Sequence, residues 1–178
     1  HLVLPEFGGR GQAALKSARV AVVGAGGLGS PCLLMLAAAG VGRLTIIDDD
    51  QVALSNLQRQ VLFTTADIGL MKAEAACTRL HALNPDIETV AAPLRLDADN
   101  GDALLAGHDL VIDGSDSFAT RLAVADLALG LCLPLVSGAV GPWDGQVAVF
   151  AGHLPDRPCY RCFVGSPTDA PDRNCAAT

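Results

Sequence analysis

The residues best placed to do chemistry begin within residues 19–30, RVAVVGAGGLGS. Gly24, Gly26, Gly27 and Gly29 follow a β-branched run, residues 20–23, and precede an apolar, helix-forming stretch, residues 31–39. Strand, glycine turn and helix together present free N–H groups and a partial positive charge to a phosphate. Gly24 permits a tight turn, Gly26 and Gly27 allow close approach of a ligand, and Gly29 lets the helix sit near the strand. Ser30 is expected as the N-cap and Pro31 as the first helical residue. Asp48 stands 24 residues beyond Gly24, at the end of the next strand, where an acid can hold a ribose. A solvated loop acid is its plain alternative.

Other candidates are scattered along the chain. Residues 55–60, SNLQRQ, are polar and outside the strand pattern, so they are expected near the site. Arg59 there can clamp a phosphate in a forked geometry or be an ordinary surface arginine. Lys72 falls in the first turn of a predicted helix, where a cation opposes the helix dipole. A phosphate would explain it, as would simple solvation. Asp116, beyond the strand LVID, is a carboxylate suited to Mg²⁺ beside phosphates, or an N-cap for the following helix. Cys159 and Cys162 form a CxxC. Half of a structural zinc site, a redox pair and coincidence are all open readings, with His153 and Cys175 the nearby spare ligands. Cys175, two residues from Arg173, is either a reactive thiol or a free loop cysteine.

Positioning these residues calls for alternating strands and helices. Strands are expected over 19–23, 43–47, 87–92, 110–113, 133–136 and 146–150. Helices are expected over 12–17, 30–39 (closed by Gly40), 70–83, 98–105 (capped by Asp97) and 118–129. A glycine-containing turn over 138–145 carries Trp143, the only tryptophan, which reads as a partner contact or as local packing. The fold class is α/β: a Rossmann-like, mostly parallel sheet with helices on both faces and a nucleotide at the C-terminal strand ends.

Bulk properties agree. The chain has 178 residues, 51% hydrophobic and only 17% charged, as a sheet buried on both faces requires. A net charge of −7 argues against general nucleic-acid binding. The longest apolar stretch, residues 32–41, is too short to span a bilayer, and the N-terminus has no signal-peptide pattern. Six cysteines in an alanine-rich α/β chain fit a reducing, cytoplasmic setting better than a disulfide framework. The chain reads as a single domain over 1–178, and both ends look cut, so a longer protein is expected.

Taken together, VVGAGGLGSP (22–31), IIDDDQVALSNLQRQ (46–60), Lys72, LVIDGSDSFATR (110–121), GAVGPWDGQV (138–147) and CYRC (159–162) resemble the ThiF/MoeB/HesA family. These are bacterial relatives of the ubiquitin-activating enzymes, and the resemblance runs over essentially the whole chain. It implies ATP-dependent adenylation of the C-terminal glycine of a ubiquitin-like sulfur carrier of the ThiS or MoaD type, for thiamine thiazole or molybdopterin sulfur transfer. By position, it implies that the glycine loop cradles ATP and Asp48 binds the ribose. Asn56, Arg59 and Lys72 would contact the triphosphate, and Asp116 would associate with Mg²⁺. Cys159 and Cys162 would be two of four zinc ligands, the other two lying beyond Thr178. Cys175 would be the family's loop cysteine, linked to sulfur transfer in ThiF-like members and dispensable in MoeB-like ones. A homodimer is implied as well. The family's upstream arginine, which reaches into the neighbouring subunit's site, is absent here.

A glycine carboxylate is already a nucleophile, so this reaction needs alignment and charge neutralisation and no general base. Two rivals stand beside it. An NAD-dependent oxidoreductase shares the glycine loop and the strand-end acid but has no use for Arg59, Lys72 and Asp116 together. A non-catalytic activating-enzyme-like scaffold would not need them either. The run DDD at 48–50, LFTTADI at 62–68 and PDRNC at 171–175 lean toward the ThiF branch.

Overall fold

The computed structural model describes residues 3–165. In chain order the elements are α1 (Gly8–Ser17), β1 (Arg19–Val23), α2 (Gly29–Ala39), β2 (Arg43–Ile47), α3 (Lys72–Leu83), β3 (Glu88–Ala92), α4 (Gly101–Leu105), β4 (Leu110–Asp113), α5 (Phe118–Gly130), β5 (Leu135–Val140), β6 (Gly145–Phe150) and α6 (Tyr160–Val164). The strands form one sheet in the order β3-β2-β1-β4-β5-β6. The first five run parallel, and β6 returns antiparallel along β5.

Alternation along β1 shows why the central strands are apolar throughout. Val20 and Val22 join one core with Leu33 and Ala37 of α2 and Ala73, Ala76 and Leu80 of α3. Ala21 and Val23 point the other way and join Leu105, Val124 and Ala128 from α4 and α5. Successive side chains leave a strand on opposite faces, so a sheet covered on both sides needs an unbroken apolar run. The expected Rossmann-like class and helices on both faces are what the molecule has.

Boundaries moved for physical reasons. Helix α1 starts at Gly8 instead of residue 12, and the Phe7 ring lies where a β-carbon on Gly11 would be, 2.7 Å away. Strand β5 runs on to Val140 because it pairs with β6 as far as Gly145, leaving residues 141–144 as the turn that presents Trp143. Ser30 is not the N-cap of α2. Leu28 takes that place, Pro31 is the third helical residue, and the buried Ser30 hydroxyl donates to the Ala25 carbonyl (2.8 Å). Gly40 closes the helix in the left-handed region, as expected. Asp97 accepts the Asp99 and Asn100 amides and so caps the turn before α4, whose own cap is Asn100. The N-cap of α5 is Ser117, whose hydroxyl oxygen accepts the Thr120 amide, so that role does not fall to Asp116. Among the described residues, no helix is long and apolar enough to cross a membrane.

Candidate active site

Strand register assembles the site. Val23 lies level with Ile47 on one side and Asp113 on the other. The next residues, Gly24, Asp48 and Gly114, therefore leave the sheet side by side at its C-terminal edge. The Gly24 amide donates to the Ile47 carbonyl and the Gly114 amide to the Val23 carbonyl, both at 2.9 Å. Gly24 has a φ of 88°, and a β-carbon there would press on Gly114 and the Ser115 amide at 3.1 Å. A β-carbon on Gly29 would lie 1.8 Å from the Gly24 carbonyl oxygen. Only glycine lets α2 start this close to the strand that precedes it.

Asp48 ties the glycine turn to β2. Its carboxylate accepts the Ala25 amide at 2.7 Å and the Asp50 amide at 2.9 Å. Burial pushes its pKa up, against the pull of the Ala25 amide and of Lys72. The neighbouring acids are engaged too: Asp49 accepts from Arg95 at 3.1 Å, and Asp50 from Lys72 at 2.7 Å. The three aspartates lie close enough together to share a cation.

The polar segment 55–60 folds over the glycine turn. A 3-10 turn spans Leu54–Asn56, and the Asn56 carbonyl accepts the Arg59 and Gln60 amides at 3.1 and 3.0 Å. The aliphatic part of Arg59 lies along Gly27, 3.5 Å from where a β-carbon would stand. The Gln60 side chain is buried against Gly26, and its carbonyl oxygen has no partner among the described residues. Lys72 opens α3 with 4% of its surface exposed. Asp50 supplies the local reason for a cation in that first turn, a pairing across 22 residues that sequence spacing did not reveal.

On the other side of the turn, the exposed Asp116 sits on the loop between β4 and α5. Asp113 anchors that loop from below. It is 1% exposed and accepts the Ser115 amide (3.0 Å), the Ser115 hydroxyl (2.7 Å) and, at 3.4 Å, the Ser137 hydroxyl. Burial pushes its pKa up despite those donors. Arg121 fixes the loop from above, donating two N–H groups to the Ser115 carbonyl at 3.0 and 2.8 Å. Sequence reasoning missed Asp113 and Arg121, although an acid ending a buried strand was a visible signal.

The cysteine pair stands apart. Phe150 pairs with Leu135, the first residue of β5, so β6 delivers the chain to the opposite sheet edge. Cys159 caps α6, and its sulfur lies 3.4 Å from that of Cys162, both thiols free. The Cys162 amide and thiol hold the Cys159 pKa below the ordinary thiol value. Two thiolates on one tetrahedral zinc at about 2.3 Å each would stand roughly 3.8 Å apart, so the pair fits half a site. No third ligand, His153 included, gathers with them among the described residues. Cys175 lies outside the described residues.

The structure thus brings Gly24, Gly26, Gly27, Gly29, Asp48, Asn56, Arg59 and Lys72 around one edge, with Asp116 on the adjoining loop. It leaves Cys159 and Cys162 away from them.

Comparison with known proteins narrows what this edge belongs to. The chain is 51% identical over 171 residues to a sulfur carrier protein adenylyltransferase of Thermus thermophilus, covering 93% of this chain and 62% of that protein. It is 44% identical over 179 residues to the SAMP-activating enzyme E1 of Haloferax volcanii, covering 100% of this chain and 65% of the relative. It spans less than two thirds of the length of both. Among solved structures, the E. coli tRNA N6-threonylcarbamoyladenosine dehydratase TcdA in complex with ATP superposes with a TM-score of 0.74 at 30% identity, over 78% of this chain and 58% of that one. The family model described as ThiF matches residues 1–178. The chain belongs to the ThiF family.

Proposed function

We propose that this chain is an adenylation domain that joins AMP to the C-terminal glycine of a ubiquitin-like sulfur carrier protein of the ThiS or MoaD type. The observation that carries the reading is the convergence of the glycine turn, Asp48, Arg59 and Lys72 at one strand edge, with Asp116 on the adjoining loop. The names of the relatives, adenylyltransferase and activating enzyme, agree with it.

In the reaction, a carboxylate oxygen of the carrier's glycine attacks the α-phosphorus of ATP. A phosphorus–oxygen bond forms, the bond to the bridging oxygen of the β-phosphate breaks, and pyrophosphate leaves with the electron pair. No proton need move, so no base is needed. The work is alignment and neutralisation of developing charge. The glycine turn and the first amides of α2 would hold phosphate oxygens, and Asp48 would accept the ribose hydroxyls. Asn56 and the fork of Arg59 would face the triphosphate. Lys72 would exchange Asp50 for a phosphate oxygen. Asp116, exposed and free of a capping role, is the residue that would hold Mg²⁺, which neutralises phosphate charge when bound. Cys159 and Cys162 would contribute half of a structural zinc site. Cys175 would belong to later sulfur chemistry. The exposed valines of β6, Val147 and Val149, offer apolar surface to a homodimer.

A hydride-transfer enzyme gains nothing from Arg59 lying along Gly27. The deciding measurement is carrier-dependent exchange of pyrophosphate into ATP by the full-length protein. Arg59→Ala should lower exchange by about 100-fold or more while the melting temperature holds. Near-normal exchange in that variant would remove Arg59 from the reaction, and hydride transfer to a nicotinamide without exchange would overturn the reading.

A further inference from the structure

Among the described residues, Lys72 is the only buried lysine or arginine. Its ammonium donates to the Asp50 carboxylate at 2.7 Å and makes no other hydrogen bond among those residues. The two side chains are 5% and 64% exposed, respectively. Parting them therefore falls hard on one partner only. A buried ammonium without a counter-charge is strongly unfavourable, whereas a carboxylate that turns outward is solvated at once. Lys72 also opens α3, where the helix end adds its own partial positive charge. An anion must accompany this lysine.

The main chain around Asp50 is pinned. Its carbonyl accepts the Lys72 amide at 2.9 Å, and its amide donates to the Asp48 carboxylate at 2.9 Å. The next residue, Gln51, bridges to Met71. Only the Asp50 carboxylate is left to move. Asp48 is a poor replacement for it, because its two oxygens already accept the Ala25 and Asp50 amides.

We propose, on the strength of the adenylation reading, that Asp50 is an exchangeable counter-ion for Lys72. It neutralises the ammonium until a phosphate oxygen takes its place, turns into solvent while the phosphates are held, and returns as pyrophosphate leaves. Asp50 is thus a positioning residue that acts through Lys72 and opposes the binding of the leaving group. Pyrophosphate must displace it to bind, so the site does not hold its own product too firmly.

The test uses the full-length protein, with pyrophosphate plus Mg²⁺ and AMP as separate probes in calorimetric titrations. Asp50→Asn keeps the shape of the side chain and removes its charge. Its affinity for pyrophosphate should rise about tenfold, while its affinity for AMP stays as in the wild type. Without pyrophosphate, Asp50→Asn should melt about 3 °C lower than the wild type. Saturating pyrophosphate should close that gap, because the pairing lost from the free protein no longer has to be broken on binding. Asp49→Asn removes an equal charge, that of the acid paired with Arg95, and should leave pyrophosphate affinity unaltered. In a Lys72→Met background, Asp50→Asn should no longer lower the melting temperature. That double variant leaves no buried charge unpaired, so it decides the question if Asp50→Asn alone does not fold. Pyrophosphate affinity that is unchanged or weaker in Asp50→Asn, or tightened equally in Asp49→Asn, would overturn the proposal. So would a further loss of stability in the double variant relative to Lys72→Met. Wild-type protein that neither binds pyrophosphate nor exchanges it into ATP would overturn the adenylation reading, and this proposal with it.

Discussion

Two carboxylates are sunk into this molecule, and their surroundings treat them in opposite ways. Asp67, in the loop leading to α3, accepts the Thr64 amide and hydroxyl at 2.7 and 2.9 Å and two nitrogens of Arg79, the shortest contact at 2.7 Å. Burial pushes its pKa up, but those donors and the Arg79 charge outweigh burial and hold it below the ordinary range. Asp113 is buried more deeply and, among the described residues, accepts only from the two serines. The nearby Arg121 turns its N–H groups to the Ser115 carbonyl and acts on Asp113 through its charge alone, so burial prevails. One directly bound cation decides between a carboxylate that braces the scaffold and one left without an ion-pair partner beneath the site loop.

The contrast breaks most visibly at Arg79. Arg79→Met strands the Asp67 charge, and urea denaturation at pH 7 should show a loss of about 2 kcal/mol. That is less than a fully buried pair would lose, because the Arg79 side chain is 36% exposed. A loss below about 0.5 kcal/mol would mean that the pair is no stronger than a surface one.

Asp113→Asn should go the other way. The amide keeps an acceptor for Ser115 and gains a donor for Ser137, while the buried charge disappears. Stability at pH 7 should hold or rise by about 1 kcal/mol. The raised pKa of Asp113 means that the native state binds its proton more tightly than the unfolded chain does. That contribution is present below the unfolded pKa and is withdrawn as pH rises through the folded value. The variant's advantage should therefore vanish in acid, and a constant advantage across pH would show that charge burial is not its cause.

The smallest effect is the mirror image at Asp67. Its depressed pKa contributes stability above the unfolded value, lost as pH falls through the folded one. Asp67→Asn should flatten the acid limb of the stability profile, read as the unfolding midpoint at successive pH values. An unchanged limb would remove Asp67 from acid unfolding.

The same contrast marks what was legible in the sequence. Strands β1, β2 and β4 declare themselves because sheets covered on both faces need continuous apolar runs, and the glycine spacing then places the turn. Asp48 and Lys72 were legible as candidates because a strand end and a helix start are local features, and Arg59 because it lies in a polar segment outside the strand pattern. Ser30 was misread because a sequence gives a hydroxyl without its target, and here the target is a carbonyl at Ala25. Partnerships across distance stayed hidden: Lys72 with Asp50, Arg121 with Ser115, Arg161 with Asp126. Each depends on where two elements happen to face one another, which residue spacing within a single element cannot encode.

Gly29 leaves its mark on how related sequences can vary. The obstacle a side chain would meet there is the Gly24 carbonyl, a piece of main chain, so no substitution at a neighbouring residue can clear it. A sequence carrying any larger residue at this position must have carried helix α2 away from the strand, and the amides of its first turn with it. Position 29 can therefore serve as a one-letter test when uncharacterised relatives are sorted: a chain that keeps the rest of the motif but has lost this glycine has a differently built turn between β1 and α2, whatever its other residues suggest.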